Sequence, residues 1–247
     1  MVKGVVQGVI FDSGGTIIDT SAWNSDDAYK KYVDILASFG YKTDLPKWKE
    51  TFNIAQKNVE IRFLGSPMRH QTGVVFLEAA KILGFRMDPA IATHIDYQIQ
   101  NFLIDLAKTY DDVETHLAEM RKAGLKTALV SNGRMIRTSK MVDLLNLRQY
   151  FDSIVVSEEV GYEKYTGIPF KRAMARIGTL PDETIVVGNN LIEDIAGARK
   201  AGLRSVHIAR KKSLHKDCES SQFKPDYCIS KMSELQGVLE DKMKIKT

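Results

Sequence analysis

Four short polar stretches in this chain hold residue types able to do covalent chemistry. Asp12 closes the apolar run over residues 5–11 and is followed by Ser13, Gly14, Gly15 and Thr16. Ser131, Asn132 and Gly133 close a second apolar run over 126–130, and Lys164 lies in a third stretch. Gly188, Asn189 and Asn190 close a further run and lead to Asp194. A carboxylate can serve as nucleophile or metal ligand, a hydroxyl beside free amides can hold an oxyanion, and a lysine can balance gathered negative charge. Each stretch alone has an ordinary reading. An Asp after a strand forms a turn or caps a helix, Ser-Asn-Gly is a turn sequence, and Asp194 suits a first helical turn. Taken in order along one chain, they point to a shared site, because open α/β sheets bind ligands beyond the carboxyl ends of their strands.

The elements that must position these residues are legible from periodicity. Residues 5–11 are β-branched and short, which predicts a buried parallel strand, and the paired Gly14 and Gly15 permit a sharp turn after it. Helical spacing then takes over. Tyr29, Tyr32, Val33 and Leu36 define one helix after the caps Asn24 and Ser25, with Gly40 as its stop. Helices over 46–64, 73–83 and from Asp88-Pro89 onward follow, the last carrying Ile91, Ile95, Phe102 and Leu106 on one face. No strand signal interrupts residues 21–104, so that block predicts an all-helical unit inserted into another domain.

From Tyr110 onward strands and helices alternate. Asp111 or Asp112 caps a helix that Gly124 ends, and strand 126–130 follows. A helix with Met141, Leu144 and Leu145 on one face precedes the strand Ser153–Val156. Another helix follows Tyr165, then strand 184–187, then a helix placing Ile192, Ile195 and Ala196 inward and stopping at Gly202. Strands 205–208 and Tyr227–Ile229 and a helix from Ser233 complete the chain. This alternation predicts an α/β fold, a Rossmann-like parallel sheet of five or six strands with helices on both faces. Residues 1–20 and 105–247 form that core, and 21–104 the helical insertion.

The chain has 247 residues, 44% hydrophobic and 27% charged, with a formal net charge of +4. That length buries ample core, and the mild, scattered charge does not suggest nucleic-acid binding. The run Arg210, Lys211, Lys212 and the C-terminal Lys242, Lys244 and Lys246 read as a solvated face and a tail. Cys218 and Cys228 are the two cysteines; without CxxC spacing they predict no disulfide and a reducing setting. No membrane span or secretory leader is evident, so the expected location is cytoplasmic, as a monomer or homodimer without membrane or nucleic-acid partners.

The four stretches together resemble the haloacid dehalogenase-like superfamily, whose pattern is DxDGT after a first strand, Ser or Thr after a second, a lysine, and GDxxxxD opening a helix. Asp12 to Thr16, Ser131 to Gly133, Lys164 and Gly188 to Asp194 match in order, and the segments at 110–131 and 151–164 also look like the family. The resemblance implies that Asp12 attacks an electrophile and forms a covalent aspartyl intermediate. It implies that Ser131, with Gly15, Thr16, Asn132 and Gly133, holds a small anionic substrate, that Lys164 balances charge, and that Asp194 completes the site. Mg²⁺ would lie among Asp12, the Gly14 carbonyl and Asn189. The insertion resembles the family's C1-type cap, which closes over the active site. Arg62, Arg69 and His70 of that block are candidate contacts to substrate anions.

Two positions depart from the pattern. Gly14 stands where a second acid protonates the leaving alcohol, a function worth about 10²–10⁴ in rate. Asn189 stands where a charged metal ligand is usual, so Mg²⁺ should bind weakly. Three readings follow. One is a phosphatase-like hydrolase acting on a small phosphorylated metabolite with a degenerate metal and acid site. The second is a 2-haloacid dehalogenase-type hydrolase without a metal, since such enzymes lack both acids and share Ser-Asn-Gly. The third is a silent member that binds a ligand or a protein.

Overall fold

The computed structural model describes residues 5–63, 73–210, 218 and 221–243. Six strands form one parallel sheet: β1 (Gly8–Asp12), β4 (Lys126–Ser131), β5 (Ser153–Val156), β6 (Thr184–Gly188), β7 (Arg204–Ile208) and β8 (Tyr227–Ile229), in the spatial order β5-β4-β1-β6-β7-β8. All five residues of β1 are buried, as expected of a central strand covered on both faces. Ile10, Ala128, Val130, Val155 and Val186 form one core cluster with Phe170, Ala173 and Ile177 of α8 (Ile168–Ile177) and Ala198 and Ala201 of α9 (Gly197–Ala201). Further helices of this unit are α5 (Val113–Lys122), α6 (Met135–Leu144), α7 (Ser157–Val160) and α10 (Met232–Met243). The six-stranded α/β architecture agrees with the alternation in the sequence.

The chain divides into two compact units, Met1–Asp19 with Lys108–Thr247, and Thr20–Ala107. The divide follows from a strand pair that periodicity does not reveal: β2 (Ile18–Asp19) runs antiparallel to β3 (Lys108–Thr109), so the chain leaves and re-enters the sheet unit at neighbouring positions. The second unit holds α1 (Asp26–Ser38), α2 (Leu45–Phe63), α3 (Gly73–Ile82) and α4 (Pro89–Asp105), with no strand among the described residues. Ser25 caps α1 by accepting from the Ala28 amide at 3.2 Å, and Asp88 caps α4 by accepting from the Ala90 amide at 2.7 Å. The unit has its own core, in which Trp48 stacks on Phe76 at 6.1 Å and tilts against Phe52 at 5.3 Å.

Several expectations need correction. Leu144 is exposed, and α6 turns Thr138, Met141 and Val142 inward. Ile192 is exposed because residues Leu191–Ala196 wind as a π-turn, whose wider pitch shifts the helical phase. The Asp112 side chain does not cap α5, since other partners take its carboxylate. Cys218 and Cys228 form a disulfide. Their separation of 10 residues lacks a spacing signature that would announce the pairing. Among the described residues no helix is long and apolar enough to cross a membrane. Leu64, Arg69, His70, Lys211, Lys212, Lys244 and Lys246 lie outside the described residues.

Both tryptophans, Trp23 and Trp48, belong to the helical unit and its core. Ile95 is fully buried there, and Ile95→Ala should cost about 2–5 kcal/mol. In urea, tryptophan fluorescence should report this loss as a lowered midpoint, while part of the far-ultraviolet circular dichroism, from the sheet unit, persists to higher denaturant. A single transition shifting equally in both signals would show that the two cores are not independent.

Candidate active site

Asp12, Ser131 and Gly188 are the last residues of β1, β4 and β6, three strands that are adjacent in the sheet. The loops that follow therefore open at one end, and the sequence-predicted residues meet there. Lys164, in a short 3₁₀ turn, is 2% exposed, and its ammonium donates to Asp12 Oδ1 at 2.5 Å and Asp194 Oδ1 at 2.6 Å. Glu193 Oε2 lies 3.9 Å away. Burial alone would lower the lysine's proton affinity, but Asp12, Asp194 and Glu193 together outweigh it and hold the ammonium charged well above its ordinary range. Asp194 is fully buried, and that burial pushes its carboxyl up to about 7; nearby Lys164 opposes the shift and the Asp12 charge adds to it.

The remaining contacts fix the carboxylates. Thr16 Oγ1 donates to Asp12 Oδ2 at 2.9 Å. The Asn190 amide donates to Asp194 Oδ2 at 2.9 Å, while Asn190 Oδ1 accepts from the Ile192 and Glu193 amides and caps the π-turn. Gly188 permits this packing, because a Cβ there would overlap the Asp194 carboxyl. Gly15 has φ +81° and lies against the Asn189 amide, so both conformation and space favour glycine.

The second loop is organised differently from the expectation that Ser131 simply faces a substrate. Ser131 Oγ and Ser13 Oγ share a hydrogen bond at 3.0 Å. Asn132 Oδ1 accepts from the Lys164 amide at 3.0 Å and so ties the second motif to the third. Its Nδ2 is buried and has no partner among the described residues, a donor suited to a ligand oxygen. Ser157 Oγ accepts from the Gly133 amide at 3.0 Å, which occupies that amide.

Three residues escaped sequence reasoning. Ser13 lies within the first motif but has no partner legible in sequence. Ser157 follows β5 and supports the Gly133 turn from there. Arg210 was grouped with its basic neighbours as a solvated face, whereas its side chain is 10% exposed. Its guanidinium donates to the Thr16 carbonyl at 2.7 Å through Nη2 and to both Asp112 carboxylate oxygens at 2.7 and 2.8 Å through Nη1, and it stacks on Tyr110 at 4.2 Å. Arg210 thus braces the loop that presents Asp12. Arg62 pairs with Glu78 inside the helical unit at 2.9 Å, which explains it without a substrate.

Asn189 bears on the fit of a metal. Its side-chain amide ends 3.2 Å from both Asp12 Oδ2 and the Gly14 carbonyl oxygen. Both neighbours are acceptors, so hydrogen bonding places the amide nitrogen at that point. Turned over, the amide presents its oxygen to the same two atoms. Octahedral Mg²⁺, with bonds of about 2.0–2.1 Å, spaces neighbouring oxygens by about 3 Å, the size of the two separations the turned amide oxygen would make. The turned set brings one formal negative charge, that of Asp12.

Comparison with known proteins accords with this site. The family model described as haloacid dehalogenase-like hydrolase matches residues 6–202. Glyceraldehyde 3-phosphate phosphatase of Methanopyrus kandleri is 27% identical over 237 residues, 96% of this chain and 98% of the relative. Pyrophosphatase PpaX of Bacillus mycoides is 25% identical over 231 residues, 94% of this chain and 95% of the relative. Among solved structures, magnesium-bound YfnB of Bacillus subtilis superposes with a TM-score of 0.75 at 21% identity, covering 96% of this chain and 99% of that one. L-2-haloacid dehalogenase of Xanthobacter autotrophicus gives 0.67 at 18% identity, covering 96% and 100%. At such identities these structures share the fold.

Two substitutions test the electrostatics, both measured with chelator present. Lys164→Met leaves two buried carboxylates without their cation and should cost about 3–5 kcal/mol of unfolding free energy at neutral pH. Asp194→Asn tests the raised carboxyl. Its folded pKa of about 7 exceeds the ordinary 3.8, so its contribution to stability is present at low pH and lost as pH rises through about 7. The variant's melting temperature relative to the parent should therefore climb between pH 5 and pH 8. A difference independent of pH would refute the shift.

Proposed function

This chain belongs to the haloacid dehalogenase-like hydrolases, and from that premise we propose that it hydrolyses a small phosphorylated metabolite through Asp12. The observation that carries the reading is the buried Asp12–Lys164–Asp194 cluster, with the ammonium 2.5 and 2.6 Å from the two carboxylates. It fixes the Asp12 carboxylate at the strand end and supplies positive charge where an anionic substrate would add more negative charge. The near full-length relatives named as phosphatases support the phosphate class over others.

In this mechanism an Asp12 oxygen attacks phosphorus, and the bond from phosphorus to the leaving oxygen breaks. Water then opens the aspartyl phosphate, releasing inorganic phosphate and restoring the Asp12 carboxylate. Asn132 Nδ2 and the hydroxyl of Ser131 or Ser13 not spent on their mutual bond donate to phosphoryl oxygens. Lys164 holds Asp12 in place and offsets the charge gathered there. Asp194 acts through Lys164 and the Asn190 amide, as a positioning residue. Asp12, the Gly14 carbonyl and a turned Asn189 would hold Mg²⁺, which when bound supplies further positive charge beside the phosphoryl group. The helical unit, Thr20–Ala107, is assigned the role of a cap that selects the substrate.

Gly14 offers no proton to the leaving oxygen, and this shapes the substrate range. Leaving groups that depart as stable anions lose little, whereas an alkyl alkoxide loses the full contribution of a general acid. The rate should therefore fall steeply as the leaving-group pKa rises. A dehalogenase-type reading is favoured by the same absence, together with the Asn189 nitrogen turned toward Asp12, since halide departure needs neither proton nor metal.

The test is kcat/KM across aryl and alkyl phosphates of graded leaving-group pKa, and on a 2-haloacid, with Mg²⁺ and with chelator, using Asp12→Asn as the blank. Gly14 lies outside the left-handed backbone region, so Gly14→Asp is sterically tolerated by its backbone. That variant should flatten the dependence, raising alkyl phosphate turnover by up to about 10²–10⁴, and Asn189→Asp should lower the Mg²⁺ concentration required. Turnover of the haloacid alone, unhelped by either change, would replace the phosphatase reading with the dehalogenase one. A parent equal to the blank on every substrate, without rescue, would leave a binding role.

A further inference from the structure

We propose that His207, Cys218 and Cys228 form, when the disulfide is reduced, a binding site for a thiophilic divalent cation of the zinc class. The three candidate ligand atoms all lie within 4.8 Å of one another. His207 and Cys228 are register partners on the adjacent strands β7 and β8, so the sheet itself sets two of the three ligands side by side. Cys218 joins them through the disulfide, with a Cα–Cα distance of 6.5 Å. His207 is 1% exposed and Cys218 8%.

The orientation of the imidazole is that of a metal ligand. His207 Nε2 lies 2.9 Å from the Asn189 backbone carbonyl, which can only accept, so Nε2 carries the proton. Nδ1 is then the unprotonated nitrogen, and it points at Cys218 Sγ from 3.1 Å. A ring nitrogen fixed by a backbone carbonyl, with the other presenting its lone pair to the ligand cluster, is the outer-shell arrangement that orients histidines on metals. Two thiolates and one imidazole suit a soft or borderline cation, with Zn–S bonds of about 2.3 Å and Zn–N of about 2.0–2.1 Å.

Charge explains why two states should exist. The disulfide is neutral. Two thiolates with a divalent cation and a neutral imidazole are also neutral, whereas two adjacent thiolates alone, one buried and one half-buried, would be costly. Passage between the states needs a dithiol reductant, which gives two electrons and two protons and becomes a disulfide as the Cys218–Cys228 bond breaks. Cation binding then releases the two thiol protons.

The chain has two cysteines, so any sulfur-to-metal charge-transfer band reports this site alone. The experiment uses the full chain reduced with a phosphine, thiol titration to confirm two free sulfhydryls, and Co²⁺ followed by Zn²⁺. The reduced protein should bind one Co²⁺ with a near-ultraviolet sulfur-to-cobalt band that Zn²⁺ abolishes, and Zn²⁺ should raise its melting temperature. The oxidised protein, Cys218→Ser and Cys228→Ser should each lack the band while keeping their circular dichroism. His207→Gln should weaken Co²⁺ binding with both thiols intact. A folded, fully reduced protein that binds Co²⁺ no better than the double serine variant would overturn the proposal, leaving a disulfide without a cation site.

Discussion

A lysine ammonium can be buried only where enough negative charge surrounds it to offset the loss of water. Lys164 meets that condition by standing between Asp12 and Asp194, and the arrangement constrains most of the sheet unit. Asp12 ends β1, Asp194 follows β6 and Lys164 lies in a turn beyond β5, so the charges join Asp12 to Lys164 across 152 residues and Lys164 to Asp194 across 30. Two carboxylates and one ammonium leave a net negative charge in a dry place. Burial drives the Asp194 carboxyl upward toward its neutral form, which answers that imbalance. The cluster thus fixes the Asp12 carboxylate at the end of β1 against a buried cation.

Around this pair of ion contacts the loops are stitched by neutral and charged hydrogen bonds in turn. Asn132 accepts from the Lys164 amide, Thr16 donates to Asp12, and Arg210 grips the Thr16 carbonyl from the end of β7 while its other nitrogen is held by Asp112. Asn189 occupies the position where charge is most wanted and offers none. Its amide can present either end to Asp12 and Gly14, so one side chain can stand in for a cation or help to hold one. Both departures from the family pattern lie in these loops, a residue without a side chain at Gly14 and a neutral amide at Asn189.

Sequence revealed the residues whose type is their function. Asp12, Ser131, Lys164 and Asp194 follow short apolar runs, and the rule that sheets bind ligands at strand ends was enough to gather them. What stayed hidden depends on pairings across the sheet or on local winding. Arg210 looked like its basic neighbours because nothing in the chain announces Asp112 and Thr16 as its partners. Cys218 and Cys228 carry no spacing signature, and His207 is set beside Cys228 by strand register. Ile192 was misread because a π-turn breaks the period on which the inward-facing pattern rests. Periodicity also passed over β2 and β3, each two residues long and too short to show alternation.

That small pair sets how the two units relate as chain. Ile18 pairs with Thr109 and Asp19 with Lys108, so the entry and exit of the helical unit are hydrogen-bonded to each other. To the parallel sheet, the whole insertion presents the ends of a tight hairpin, and each doubling of its length adds only about 0.6 kcal/mol of loop-closure cost. The helical unit brings its own aromatic core. A change in the number or length of helices between Thr20 and Ala107 can thus be taken up behind two paired residues on each side, without altering the register of the parallel sheet.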